Sequence, residues 1–236
     1  FLGAPWVVRL AALTFAVTAI ASFRLTRPTA GDDRLPTVAL EQAELHAPSV
    51  RLAATAMGVL RAVVGFLTFL VAFAFRHDDA PAWWFGVVLA ASMVGTFVGA
   101  AAAPHLRRRL VEERLLQASL GLVVVVGLLA MWIGGLVAMS LLAGAVGIAA
   151  GAGKLAFDSI VQRDAPDAVR GRTFARFETR FQLAWVAGAA LPVAVRIPAG
   201  MGMGALALIS AIALSSYLAA LRAFDHHQLP APRGEG

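Results

Sequence analysis

Apolar and polar positions fall in long blocks along this chain. Seven apolar runs, residues 2–23, 52–75, 83–103, 115–133, 136–157, 181–195 and 201–221, are separated by short polar stretches. As helices they are about long enough to cross a hydrocarbon core of ~30 Å, the sixth only when extended inward through a helical turn over 172–180. No period-two alternation competes, and in lipid only helices or closed barrels satisfy their own backbone polar groups. The predicted fold class is therefore all-α, a polytopic transmembrane helical bundle of about seven spans. Pro104 is expected to close the third run. Gly134-Gly135 makes a tight turn into the fifth, and Ile197-Pro198-Ala199-Gly200 turns into the seventh. The polar interval 24–49 has room for a short surface helix over 38–46.

The most lopsided polar stretch is KLAFDSIVQRDAPDAVRGRTFARFETRFQLAW, residues 154–185. Arg172, Arg176 and Arg180 recur at i, i+4 and i+8, while Phe174, Phe177 and Phe181 recur at i, i+3 and i+7. On a helix that spacing sets a basic flank beside an aromatic stripe, which suits a membrane surface carrying anionic headgroups.

Composition agrees with the block pattern. The 236 residues are 59% hydrophobic and only 14% charged, with mean hydropathy +0.76, against roughly half apolar and a quarter charged in soluble domains. The net charge of +6 invites a nucleic-acid reading, but the cations sit in short loops between apolar runs, which is the signature of membrane orientation. Alternating spans place Arg24, Arg27, Arg34, Arg51, the cluster Arg107–Arg109, Arg114, the arginines of 163–180, Arg222 and Arg233 on one face, and only Arg76 and Arg196 on the other. The positive-inside rule makes the first face cytoplasmic, with the carboxyl terminus inside. Trp6, Trp83, Trp84 and Trp132 fall near the outer ends of their spans, as an interfacial belt requires. With no cysteine there is neither a disulfide framework nor a thiolate metal site. The single lysine, Lys154, among nineteen arginines points to a GC-rich bacterial genome.

One long basic loop precedes six spans, and GAAAAPHLRR, residues 99–108, lies between the third and fourth spans. With LRAVVGFLTFLVAFAFR (60–76) and FDSIVQRDAPDAVRGRTFARFETRFQLAWVAGAALP (157–192), these features resemble the carboxyl-terminal half of a major facilitator superfamily transporter, in particular the bacterial drug-efflux-like members. That family joins two six-helix bundles by a long cytoplasmic loop, and its signature loop reads G-x-x-x-D-x-x-G-R-R. Gly99, Arg107 and Arg108 match it, whereas Ala103 replaces the acid and Leu106 the second glycine. The resemblance implies that residues 1–23 end the first bundle, 24–49 link the bundles, 50–222 form the second bundle and 223–236 a cytoplasmic tail. It further implies a secondary active transporter in the bacterial cytoplasmic membrane, exporting a small molecule by alternating access with a proton as coupling ion. Its amino-terminal six-helix half would lie outside this chain.

The candidate site residues follow from charge at membrane depth. Arg61 sits about ten residues into its span, where an unpaired charge is expensive, and is a candidate for substrate or proton coupling, with structural pairing as the plainer account. Arg9 is placed similarly in the first run. Lys154 and Asp158, one helical turn apart, form an i,i+4 ion pair or a gate at the cytoplasmic end of the fifth span. Gly99, Arg107, Arg108, Arg172 and Arg176 complete the candidate cytoplasmic gate. Gly144, Gly147, Gly151 and Gly153 give the fifth span a small-residue face for close packing, and Gly188 with Pro192 is set to kink the sixth. GIAAGAGKL (147–155) fails as a phosphate loop because Leu155 stands where Ser or Thr binds magnesium, and GMGMGA (200–205) lacks a preceding strand. His226-His227 beside Asp225 is too small a set for a metal site. The alternatives to transport are a seven-helix receptor or sensor and a membrane-embedded enzyme. Absence of lysine from 201–221 argues against a retinal pigment, and the scarcity of intraspan Asp, Glu and His against an enzyme or any catalytic residue.

Overall fold

A computed structural model describes residues 9, 12–14, 16–18, 20–21, 48–77, 81–164, 170–195 and 197–227. The chain divides into two compact units, Phe1–Leu35 and Pro36–Gly236. In the first, every described residue is helical and exposed, Arg9 among them, and Thr18 Oγ1 donates to Thr14 O at 2.7 Å. The expected surface helix over 38–46 lies outside the described residues.

Among its described residues the second unit holds six helices: α1 (Pro48–His77), α2 (Ala82–Leu106), α3 (Glu112–Ile133), α4 (Gly135–Asp164), α5 (Arg170–Ala194) and α6 (Ala199–His227). Five of them, all but α5, are long and apolar enough to cross a membrane, which makes the chain a multi-pass membrane protein. Among the described residues there is no strand. α5 is a single 25-residue helix, but its first three turns are the basic, polar stretch, so composition alone does not qualify it.

The helices overrun the apolar runs from which they were expected, because backbone hydrogen bonding continues past the lipid-compatible segment. α4 extends seven residues beyond 157, to Asp164. Pro104 does not close α2 but lies in its last turn, and the helix reaches Leu106. A proline there forfeits one bond to the preceding turn, after which Arg107 N donates to Ala103 O at 2.9 Å. Pro192 is likewise carried inside α5. The Gly134-Gly135 reversal is as expected: φ is +69° and +76°, a left-handed pair that glycine adopts without the Cβ penalty.

Packing repeats itself within the unit. The most extensive interfaces are α2 on α4 and α1 on α5, followed by α3 on α4 and α3 on α6, then α1 on α4 and α1 on α6. Exchanging α1, α2, α3 for α4, α5, α6 maps this pairing scheme onto itself. Successive helices run antiparallel, so the two three-helix sets have opposite direction, an inverted repeat.

Glycines sit at both equivalent crossings. A Cβ on Gly147 or Gly151 of α4 would run into the α2 carbonyls of Ser92 and Thr96, and one on Gly95 or Gly99 into α4 at Gly144 and Ile148. At the other crossing Gly65 meets Trp185 O, and Gly188 meets Ala62 O. Membrane helices lack a hydrophobic drive toward one another, so such small-residue contacts, which let backbones touch, supply the association. Outward-facing Met93, Phe97, Val125, Leu141, Leu183 and Leu208 are all exposed, the surface of a protein whose solvent is lipid. Trp83, stacked on Trp84 at 4.8 Å, and Trp132, 89% exposed, mark the end of the bundle that holds the Gly134-Gly135 turn. Trp6 of the expected belt lies outside the described residues.

Candidate functional site

Charge inside the bundle converges on one carboxylate. Arg61 stands near the middle of the 30-residue α1, and its Nη2 lies 3.7 Å from Glu178 Oε1 on α5. Lys154 of α4 lies 3.5 Å from the other oxygen, Glu178 Oε2. The ammonium also donates to Asp158 Oδ1 at 2.7 Å, one turn on. Three helices thus contribute two cations and two acids whose formal charges cancel. Every member is partly exposed, from 24% for the Asp158 side chain to 41% for Glu178. Arg61 Nε is buried without a hydrogen-bond partner among the described residues, leaving one donor of the guanidinium unused.

An aromatic block fixes this cluster. Phe157 is fully buried and meets Phe177 and Phe181 edge-on, at centroid distances of 5.3 and 5.0 Å. Lys154 Nζ lies 5.9 Å from the ring centres of both Phe157 and Phe174, within range of a cation–π attraction. The phenylalanine stripe of α5 is therefore not laid on a membrane surface as its spacing led us to expect. Phe177 and Phe181 are each 2% exposed, because the same helical face that would meet lipid headgroups is turned to Phe157. Arg176 and Arg180 remain exposed on α5.

A second charge cluster binds the helix ends. Arg163, at the end of α4, donates to Glu113 (2.8 Å), Glu112 (3.2 Å) and Asp164 (2.9 Å). Asp164 accepts from Ser49 Oγ at 2.7 Å, and Arg107 Nη2 donates to Glu112 at 3.1 Å. The ends of α1, α2, α3 and α4 are clasped through this network.

The sequence-derived candidates are thereby distributed. Arg61, Lys154 and Asp158 come together, with the Lys154–Asp158 pair as its spacing predicts. Gly99 is a residue of α2 packed against α4. Arg107 joins the end clasp, while Arg108 is exposed in the adjoining turn. Residue 172 belongs to α5, but its side chain lies outside those described. Arg9 belongs to the separate first unit. Glu178, the residue that joins the cluster, was not singled out beforehand. Its signal was present, for it is the sole acid between Asp167 and Asp225 and stands on a helix entering an apolar run. Chemically, a carboxylate shared by two cations is a switchable partner: a proton or a ligand cation that takes up Glu178 releases Arg61, Lys154 or both.

No protein-family model and no solved structure matches the chain. It is similar to an uncharacterized protein of Mycobacterium leprae (strain TN), with 28% identity over 168 residues, 69% of this chain and 29% of that protein. The chain spans less than a third of the length of the relative it matches.

Proposed function

We propose that this chain is one bundle, with the last helix of another, of a secondary active transporter of the major facilitator type. Such a protein moves a small, amphipathic molecule outward across the bacterial cytoplasmic membrane by alternating access, with a proton as coupling ion. The observation that carries the reading is the inverted three-plus-three pairing of α1–α6, the internal build on which each half of such transporters rests. Charge inside the apolar bundle supports it, since ionisable groups at membrane depth are costly and mark substrate or ion paths. The matched relative is more than three times as long as the stretch it shares with this chain, room enough for a second bundle. The basic end, carrying Arg107, Arg108, Arg109 and Arg163, is cytoplasmic on this reading. The acid that the family's loop places at 103 is absent, and Glu112 supplies a carboxylate to Arg107 from the first turn of α3 instead.

In this mechanism Glu178 is held by both cations in one state and by neither in the other. Protonation or substrate binding at Glu178 releases Arg61, and Lys154 falls back on Asp158. The test is gradient-driven flux in proteoliposomes containing the intact protein, over a panel of small amphipathic molecules. Arg61→Ala and Glu178→Gln should abolish flux while leaving the far-ultraviolet circular dichroism intact. Wild-type flux in both variants would remove the cluster from the transport path, and absence of any gradient-driven flux in the intact protein would refute transport.

A further inference from the structure

Beside the buried phenylalanines, a groove of about 210 Å³ opens between α1 and α5, lined by Arg51, Ala54, Thr55, Gly58, Phe177, Arg180 and Phe181. Arg51, Ala54, Thr55 and Gly58 fall at i, i+3, i+4 and i+7, one strip of α1 about 10 Å long at a rise of ~1.5 Å per residue. Arg51 is two residues from Ser49, which is held to the end of α4 by Asp164, so the strip runs from the basic end of the bundle toward its interior. Apart from Arg51, Thr55 and Arg180 its lining is apolar: Ala54, Gly58, Phe177 and Phe181. Gly58 leaves the groove open, since a Cβ there would meet nothing within 4 Å.

The two cations of this groove differ from those of the neighbouring clusters. Arg61, Lys154, Arg107 and Arg163 all meet carboxylates, whereas neither Arg51 nor Arg180 meets one among the described residues. Arg180 is held in place by a ring, its guanidinium carbon 5.6 Å from the centre of Phe177. Two guanidiniums that meet no carboxylate among the described residues, flanking an apolar strip, are complementary to a molecule with an anionic head and a hydrocarbon tail.

We propose that this groove is a binding site for an anionic phospholipid, its phosphate on Arg51 and Arg180 and the start of one acyl chain along Gly58 and Phe181. A soluble anion would use the arginines but leave the apolar strip exposed, and a zwitterionic lipid would bring its own cation to the arginines. Membrane placement is the sole premise, so failure of the site leaves the transport reading standing, and failure of transport leaves the site.

The test is a titration of the delipidated protein, in a neutral maltoside detergent, with phosphatidylglycerol and, separately, phosphatidylcholine, read as bound lipid by native mass spectrometry. Phosphatidylglycerol should bind preferentially. Arg51→Gln with Arg180→Gln should weaken it about thirtyfold, about fivefold for each arginine. The same loss of charge in Arg109→Gln with Arg114→Gln should leave it unchanged. Gly58→Leu, which fills the groove and keeps both arginines, should also lose the lipid, as a diffuse attraction to charge would not. Equal binding of the two lipids, wild-type retention in the Arg51/Arg180 double variant, or displacement by millimolar inorganic phosphate would each overturn the proposal.

Discussion

Substituting alanine for glycine at two places on the bundle should give opposite signs for one chemical change. At Gly151 the added Cβ would stand 3.0 Å from Ala100 N and closer still to Thr96 O, and at Gly147 it would stand 2.9 Å from Thr96 N and closer to Ser92 O. Those neighbours are backbone atoms of α2 that cannot rotate aside, so α2 and α4 must separate along their most extensive interface. Overpacking of this kind costs roughly 1–3 kcal/mol. Against it stands the helix preference of alanine over glycine, up to ~1 kcal/mol in water and less where the dissociated helices stay helical in detergent or lipid. Gly151→Ala should therefore destabilise by roughly 1–2 kcal/mol. Gly86 of α2 is exposed and its added Cβ meets nothing within 4 Å, so Gly86→Ala should be neutral or gain up to ~1 kcal/mol. The double variant Gly147→Ala/Gly151→Ala should cost less than the sum of the singles, because helices already parted for one methyl accommodate the next. Equilibrium unfolding in mixed dodecyl sulfate–maltoside micelles, followed by circular dichroism, measures all four. If Gly151→Ala matched Gly86→Ala to within ~0.3 kcal/mol, inside the usual error of additivity, the backbone contact between α2 and α4 would be wrong.

Two further outcomes follow from the same packing. Phe157→Ala should cost roughly 3–5 kcal/mol, since it empties a fully buried site between Phe177 and Phe181 that a helical bundle refills only in part; a loss under ~1 kcal/mol in the same micelle assay would mean that the aromatic block is loose. Arg163→Gln should cost only about 1 kcal/mol at low salt, because its side chain is 47% exposed and exposed pairs are worth little singly. That difference should vanish in 1 M sodium chloride, where the screening length falls to ~3 Å, and a salt-independent loss would show that the arginine stem, not its charge, holds the ends together.

Much of the architecture was legible in the chain as written. Length and apolarity of the runs, with the absence of alternation, leave only membrane helices. Gly134-Gly135 announces its reversal, because two consecutive left-handed residues suit glycine and little else. Lys154 and Asp158 are bound to meet, being one turn apart on the same helix. These are local consequences, fixed within a few residues by backbone geometry. The ends of α2 and α4 were less legible, because a helix stops where hydrogen bonding stops and not where hydropathy does.

What the tertiary structure decided is everything that depends on which helix lies beside which. Phe174, Phe177 and Phe181 have the same spacing whether they face lipid headgroups or Phe157, and only the packing of α5 on its neighbours chooses the core. Arg61 reads as a lone charge at membrane depth until α5 sets Glu178 beside it, 117 positions away. The glycines of α2 and α4 signal close packing with some helix, but their mutual fit exists only once those two helices cross. Hydropathy carries the membrane requirement one residue at a time; the pairing of charges and of glycine faces is a property of two segments together, and no single segment contains it.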